Sequence, residues 1–79
     1  MPLFFLHVRD GDRLIHDPDG SFLHDLEAAR SEAIASAREL MVQSIVDKGW
    51  IGIERSMEIC DAGDNTLLVL PFRQAITAC

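Results

Sequence analysis

Several residue types on which binding sites depend are scarce in this sequence. It has no tyrosine, one tryptophan and one lysine, Lys48, and its seven basic residues stand against 13 acidic ones. A formal net charge of −6 at pH 7 opposes the contacts with phosphates on which nucleic-acid binding depends. No apolar run approaches the roughly 18 residues of a membrane-spanning helix. We therefore expect neither a nucleic acid nor a membrane as a partner.

Cysteine is also rare, with only Cys60 and Cys79 in 79 residues. Small secreted domains usually contain several disulfides, and a single bridge to the last residue of the sequence would join a poorly ordered position. The apolar segment Phe4–Leu6 is too short for a secretory signal and runs directly into Arg9 and Asp10. We expect free thiols and a cytoplasmic protein.

Short motifs typical of catalytic and cofactor sites are missing as well. The sequence contains no glycine-rich phosphate loop, no CxxC, no GxSxG and no HExxH. A calcium loop that starts at Asp17 is excluded, because its glycine position holds Phe22 and its twelfth position holds Ala28. We expect a protein that is not an enzyme and that has no catalytic residues, no cofactor and no metal site.

The sequence does contain enough apolar residues for a folded core, at 48% of the chain, and we expect a single α+β domain over residues 1–79. Four segments are predicted as strands: residues 3–9 and 56–60 alternate, residues 13–16 follow a turn, and residues 66–70 form a continuous branched run ended by Pro71. Asp10-Gly11 and residues 61–65 predict the turns of two antiparallel hairpins, and Ser21–Leu23 is a short extended piece. In the first strand, Phe4, Leu6 and Val8 share one side, opposite Leu3, Phe5 and His7.

A long helix is predicted between the hairpins, with Asp25 as its N-cap, Lys48 in its last turn and Gly49 as its stop. One stripe of this helix is small or apolar. It comprises Leu26, Ala29, Ala33, Ala37, Leu40 and Ser44, flanked by Ile34, Met41 and Ile45, while Glu32, Ser36, Glu39 and Gln43 lie opposite. The order β-β-α-β-β predicts an α+β fold: one antiparallel sheet with a single long helix packed on one face.

Three segments resemble a known family: Phe5-Leu6-His7-Val8-Arg9-Asp10-Gly11, Asp25-Leu26-Glu27-Ala28-Ala29-Arg30, and Glu58-Ile59-Cys60-Asp61 leading to Val69-Leu70-Pro71-Phe72. In these the chain resembles small uncharacterised alphaproteobacterial proteins grouped as a domain of unknown function, a resemblance that implies no activity. The element order and the Asp-Leu-Glu-Ala-Ala helix start are also similar to the N-terminal domain of HicB-type antitoxins. Those proteins commonly add a DNA-binding segment, for which this chain has no basic stretch.

Histidines and a cysteine form the candidate ligand set. His16 and His24 each precede an aspartate, and imidazoles with carboxylates can hold a divalent metal. Asp25 is needed as a helix cap, however, and a loop alone fixes no ligand geometry. His7 and Cys60 are expected on the sheet face turned away from the helix. One hypothesis is therefore a small-molecule or metal sensor built on His7, His16, His24 and Cys60.

The leading hypothesis concerns apolar surface. A helix of this length is roughly 35 Å long, whereas six-residue strands span about 20 Å, so the helix must extend beyond its sheet. The sheet face that holds Phe5 and Cys60 also lacks a covering helix. We expect a non-enzymatic interaction module that forms a homodimer, with another protein as a further partner. The alternative is that residues 50–53 and the tail 72–78 fold back over these surfaces.

Overall fold

The computed structural model describes residues 1–77, which form an antiparallel sheet with a long helix against one face. The strands are β1 (Leu3–Asp10), β2 (Arg13–Ile15), β3 (Ser21–Phe22), β4 (Ser56–Asp61) and β5 (Thr66–Pro71), and the helices are α1 (Leu26–Lys48) and α2 (Phe72–Thr77). The α+β arrangement expected from the sequence is confirmed. No helix in this part of the chain is both long enough and apolar enough to cross a membrane.

The sheet has the strand order β2-β1-β4-β5, and β3 pairs with β1 on the same edge as β2. Every pairing is antiparallel, and the two hairpins meet where β1 pairs with β4. In that central pair Phe5 is opposite Cys60 and His7 is opposite Glu58. This register brings His7 and Cys60 to the same face, as residues two apart on paired strands.

The core lies between the sheet and α1. Ala29, Ala33 and Ala37 of α1 are completely buried, and their small side chains let the helix axis lie close to the strands. Four large side chains fill the same layer from the sheet and from α2: Met57, Ile59, Leu70 and Phe72. The predicted small-residue stripe is therefore the face that packs, and Phe4 on β1 joins it as the alternation indicated.

Both ends of α1 are capped as the sequence predicted. The Asp25 carboxylate accepts a hydrogen bond from the Ala28 amide at 2.8 Å, which satisfies one of the free amides of the first turn. Gly49 has φ 80°, a left-handed conformation that costs glycine little, and its amide donates to the Ile45 carbonyl at 3.0 Å.

Two predictions for the packing face of α1 are wrong, Leu26 within the stripe and Ile45 on its flank. Leu26 is 39% exposed and Ile45 is 52% exposed. Helical periodicity places both near the buried face, but α1 has 23 residues and the longest strand has eight. At about 1.5 Å and about 3.3 Å per residue, the helix is the longer element, so its ends have no sheet to contact.

The segment after β5 packs into the core beside α1. Phe72 and Ala75 of α2 are completely buried, and Arg38 Nε of α1 donates to the Ala75 carbonyl at 2.7 Å. This part of the tail therefore lies on the helix side of the sheet and leaves the opposite face open. Ala78 and Cys79 lie outside the described residues.

Arg55 fastens the connection between α1 and β4. Its guanidinium donates to the carbonyls of Ile51 at 3.1 Å and Gly52 at 3.0 Å, and lies 4.7 Å from the centre of the Phe72 ring. Gly52 has φ 69°, and a Cβ there would lie 2.5 Å from the Arg55 side chain. The backbone conformation favours glycine here, and a Cβ would also displace the Arg55 guanidinium from its present position.

Candidate functional site

Three side chains with different donor atoms meet on the open face of the sheet. His7 on β1 and Cys60 on β4 are 5% and 4% exposed, and Asp64 lies in the exposed turn between β4 and β5. One potential ligand atom from each, a ring nitrogen, a sulfur and a carboxylate oxygen, lies within 4.8 Å of the others. Nitrogen, thiolate and carboxylate are all ligands of Zn²⁺ and related ions.

Asp17 holds the loop that borders this cluster. β1 pairs with β2 only from Val8 onwards, which leaves the Leu6 amide without a strand partner on that edge. The Asp17 carboxylate accepts that amide at 3.2 Å, and it also accepts the amides of Asp19 at 3.3 Å and Gly20 at 3.2 Å. One side chain thus ties residues 17–20 to β1 where the ladder is interrupted.

The same loop fixes the ring of His7. The Asp17 amide donates to His7 Nδ1 at 2.9 Å, so Nδ1 is an acceptor and a neutral ring has its proton on Nε2. The His7 ring is stacked with the ring of Phe5 and meets the ring of His16 edge-on, with centroids 6.1 Å and 5.0 Å away. His7 is therefore held by the loop as well as by the strand that bears it.

A shallow cleft of about 320 Å³ opens over His7. It is lined by Phe5, His7, His16, Asp17, Asp61, Ala62 and Asp64. Three carboxylates and no lysine or arginine line it, so the cleft favours a cation over an anion. Farther along the same face, Arg9 donates to Glu58 at 2.8 Å, a hydrogen bond that raises the pKa of Arg9.

The turn after β4 is organised by Asp61. Its carboxylate accepts the amides of Asn65 and Gly63, each at 2.9 Å, and these bonds, those from Asn65 above all, lower the pKa of Asp61 below its ordinary 3.8. Asp64 has φ 64°, a conformation that aspartate tolerates better than most residues. The turn thereby places the Asp64 carboxylate beside His7 and Cys60.

A bulge in the last hairpin brings a hydroxyl next to the thiol. Ile59 pairs with Leu68 and Cys60 pairs with Thr66, so Leu67 is an extra residue of β5. Cys60 Sγ lies 3.7 Å from Thr66 Oγ1. The thiol is thus enclosed by β5 on one side and by the His7 ring on the other.

A separate surface lies at the C-terminal end of α1. Four large apolar side chains on or just after its last turns are exposed: Val42 (61%), Ile45 (52%), Val46 (73%) and Trp50 (53%). We name these four residues the helix-end patch. The residues of α1 at 42, 45 and 46 share one helical face, which is turned away from buried Ala37 and Ser44. Helix α1 is thus apolar on two faces near its end.

Comparison with known proteins identifies the family of the chain. A family model described as a domain of unknown function, DUF6894, matches residues 3–73. The chain belongs to this family. No curated protein and no solved structure matches the DUF6894 domain significantly. The resemblance to an uncharacterised family is confirmed, whereas alphaproteobacterial origin and the likeness to HicB antitoxins remain predictions.

The DUF6894 fold brings together most of the ligand set considered from sequence. His7 and His16 line one cleft, Cys60 lies beside His7, and the expected position of His7 and Cys60 on the same face of the sheet is confirmed. His24 is exposed just before α1 and does not line the cleft.

Asp64 is the functional candidate that sequence reasoning missed. It lies among five loop-forming residues, 61–65, whose composition predicts a turn but not the direction of any side chain. The one available signal was an aspartate directly after a glycine, four residues beyond Cys60. The left-handed backbone at Asp64 and the bulge in β5 decide where its carboxylate lies.

Proposed function

We propose that this DUF6894 domain is a non-enzymatic interaction module that forms a homodimer through the helix-end patch. The observation on which the proposal rests is the exposure of four large apolar side chains on one helix end. Contiguous apolar surface of this kind marks interaction sites more often than isolated exposed residues do. Removing it from water is favourable by about 25 cal/mol per Å².

A second copy of the chain is the occupant that the charges favour. Each chain has a formal net charge of −6, so two copies repel one another at long range and need an uncharged contact surface. The helix-end patch contains no charged side chain. A single helix face can also pack against itself about a two-fold axis, which is the commonest symmetry of soluble oligomers.

The size of the domain supports the same proposal. A chain of about this length buries only about 60% of its unfolded surface when it folds alone. Association therefore adds burial that one 8.8 kDa chain cannot provide by itself. We also propose a cytoplasmic location, since the buried free thiol of Cys60 suits a reducing compartment.

The experiment is light scattering on matched lysine variants. Val46→Lys, alone and with Val42→Lys, places charge in the patch and should shift the mass toward that of the monomer. Ser31→Lys is the control, because Ser31 is exposed on the same outward face of α1 three turns earlier. Equal dimer content in all variants would exclude the helix-end patch as the interface, and a wild-type monomer would refute the proposed homodimer.

A further inference from the structure

We propose that His7, Cys60 and Asp64 form a binding site for a divalent transition-metal ion of the Zn²⁺ class. Their ligand atoms already lie within 4.8 Å of one another, although they come from β1, β4 and the turn after β4. Two of the three, His7 and Cys60, are more than nine-tenths buried and lie on the same face of the sheet. The site is independent of the helix-end patch and of the proposed dimer.

The donor set fits a borderline-soft ion. A tetrahedral Zn²⁺ takes thiolate at about 2.3 Å and imidazole or carboxylate at about 2.0–2.2 Å, which sets ligand atoms roughly 3.3–3.7 Å apart. Since no separation in the cluster exceeds 4.8 Å, it needs to contract by at most about 1.5 Å. His7 and Cys60 are held in paired strands, so Asp64 in its exposed turn is the residue that moves. With three protein ligands, the fourth would be water.

The charges around the cluster favour a cation. The carboxylates of Asp17 and Asp61 line the same cleft and are held by backbone amides, so they add negative potential without competing as ligands. Burial of a thiol and an imidazole together also gives the ion a protected inner side. A divalent ion would thus replace the repulsion among these carboxylates with attraction.

One hydrogen bond of His7 competes with metal binding, and this competition can be tested. His7 Nδ1 accepts the Asp17 amide, which leaves Nε2 as the nitrogen for the metal. Metal binding at Nε2 requires the other neutral tautomer of the ring. Nε2 gives up its proton to solvent, and Nδ1 takes up one in its place. The Asp17 amide loses its acceptor in that state. Metal occupancy and this one hydrogen bond therefore exclude one another, so binding should loosen the backbone at Asp17 while its carboxylate keeps the bonds to Leu6, Asp19 and Gly20.

The first experiment is a titration of reduced protein with Co²⁺, which reports thiolate and tetrahedral ligation by its absorption bands. Wild type should show a thiolate-to-cobalt charge-transfer band and the visible bands of a tetrahedral ion. Cys60→Ser should abolish the charge-transfer band, and Asp64→Asn, which keeps size and turn preference, should weaken binding at least ~10-fold.

Two control variants remove the same groups elsewhere. Cys79→Ser removes the second thiol, and Asp19→Asn removes an exposed carboxylate on the neighbouring loop. Both should bind Co²⁺ as wild type does. A charge-transfer band that survives Cys60→Ser and disappears in Cys79→Ser would overturn the proposal, and so would the absence of any such band in wild type.

A second measurement tests the coupling to the loop. In ¹⁵N spectra, stoichiometric Zn²⁺ should shift the Asp17 amide signal and accelerate its hydrogen exchange, because this amide loses its acceptor. The Ala28 amide, which donates a hydrogen bond to the Asp25 carboxylate at the start of α1, is the internal control. Its signal and its exchange rate should be unchanged. Zn²⁺ binding that leaves the Asp17 signal in place would contradict ligation through His7 Nε2.

Discussion

Asp17→Ala tests whether one carboxylate holds the loop against β1. The substitution removes the acceptor of three amides, those of Leu6, Asp19 and Gly20, at 3.2–3.3 Å. The amides of Asp19 and Gly20 belong to a surface loop, where water can replace the lost acceptor. The Leu6 amide lies in the partly buried gap of β1, so its loss should dominate the effect.

The magnitude follows from that one amide. Hydrogen bonds to charged groups contribute about 1.5–3 kcal/mol, and an unsatisfied buried donor costs about 1–3 kcal/mol. We expect Asp17→Ala to lower the free energy of unfolding by about 2–3 kcal/mol, allowing for partial access of water. At about 4–8 °C per kcal/mol for a domain of this size, Tm should fall by about 8–24 °C.

Urea denaturation and thermal melts followed by circular dichroism measure this loss. Asp19→Ala is the matched control, since it removes an exposed carboxylate two residues away and should change the free energy of unfolding by less than about 0.5 kcal/mol. Asp17→Asn keeps one acceptor oxygen, which can still take the Leu6 amide but then turns the NH₂ group toward Asp19 and Gly20, so it should cost less stability than Asp17→Ala. Equal stability of the Asp17 and Asp19 variants would refute the reasoning.

Three further predictions concern packing, the α1–β4 connection and pH. Ala37→Leu adds methylene groups where α1 lies closest to the sheet and should lower the free energy of unfolding by about 1–3 kcal/mol, whereas Ala35→Leu on the exposed face should not. Equal midpoints of the two variants in thermal melts would contradict this packing. Arg55→Lys loses the planar guanidinium that binds two carbonyls and should lower the free energy of unfolding in urea by about 1–2 kcal/mol, whereas Arg73→Lys at an exposed position should not. An unchanged urea midpoint for Arg55→Lys would argue against the role given to Arg55. Because the pKa of Asp61 is lowered on folding, its contribution to stability is present above pH 3.8 and is lost as pH falls through the folded pKa. Asp61→Asn should therefore lose less stability to urea below about pH 4 than wild type does. An unchanged dependence of stability on pH in this range would contradict the prediction.

Much of the fold follows from local patterns. The pleat of a strand has a period of two, so the alternation of Phe4, Leu6 and Val8 against His7 determines which side faces α1. The ends of α1 follow from Asp25 and Gly49, whose roles depend only on adjacent backbone. In each case the physical cause acts within a few residues.

The parts that sequence patterns missed depend on distant contacts. Helical periodicity assigned Ile45 to the flank of the packing stripe but contains no information on where the sheet ends. The bonds of Asp17 to Leu6 and His7 exist because β2 stops at Ile15 and exposes that edge of β1, which no local pattern around Asp17 indicates. Helix α2 has six residues, too few for a helical repeat to be recognised.

The candidate site likewise combines residues that local patterns predict with one that they do not. The shared face of His7 and Cys60 follows from alternation and hairpin pairing. The approach of Asp64 depends on a positive φ and on the bulge at Leu67, and neither has a pattern that a single sequence reveals. Predicting a site from this chain alone therefore succeeds for the strand residues and fails for the residue in the turn.

Sedimentation equilibrium of the wild-type protein over a concentration series tests the central claim, self-association, most directly. The account predicts a mass that rises from 8.8 kDa toward twice that value as concentration increases. At about 100 μM, well above the Kd of a micromolar dimer, the dimer should predominate. A mass that stays at 8.8 kDa throughout would contradict the homodimer and leave the helix-end patch without its proposed partner.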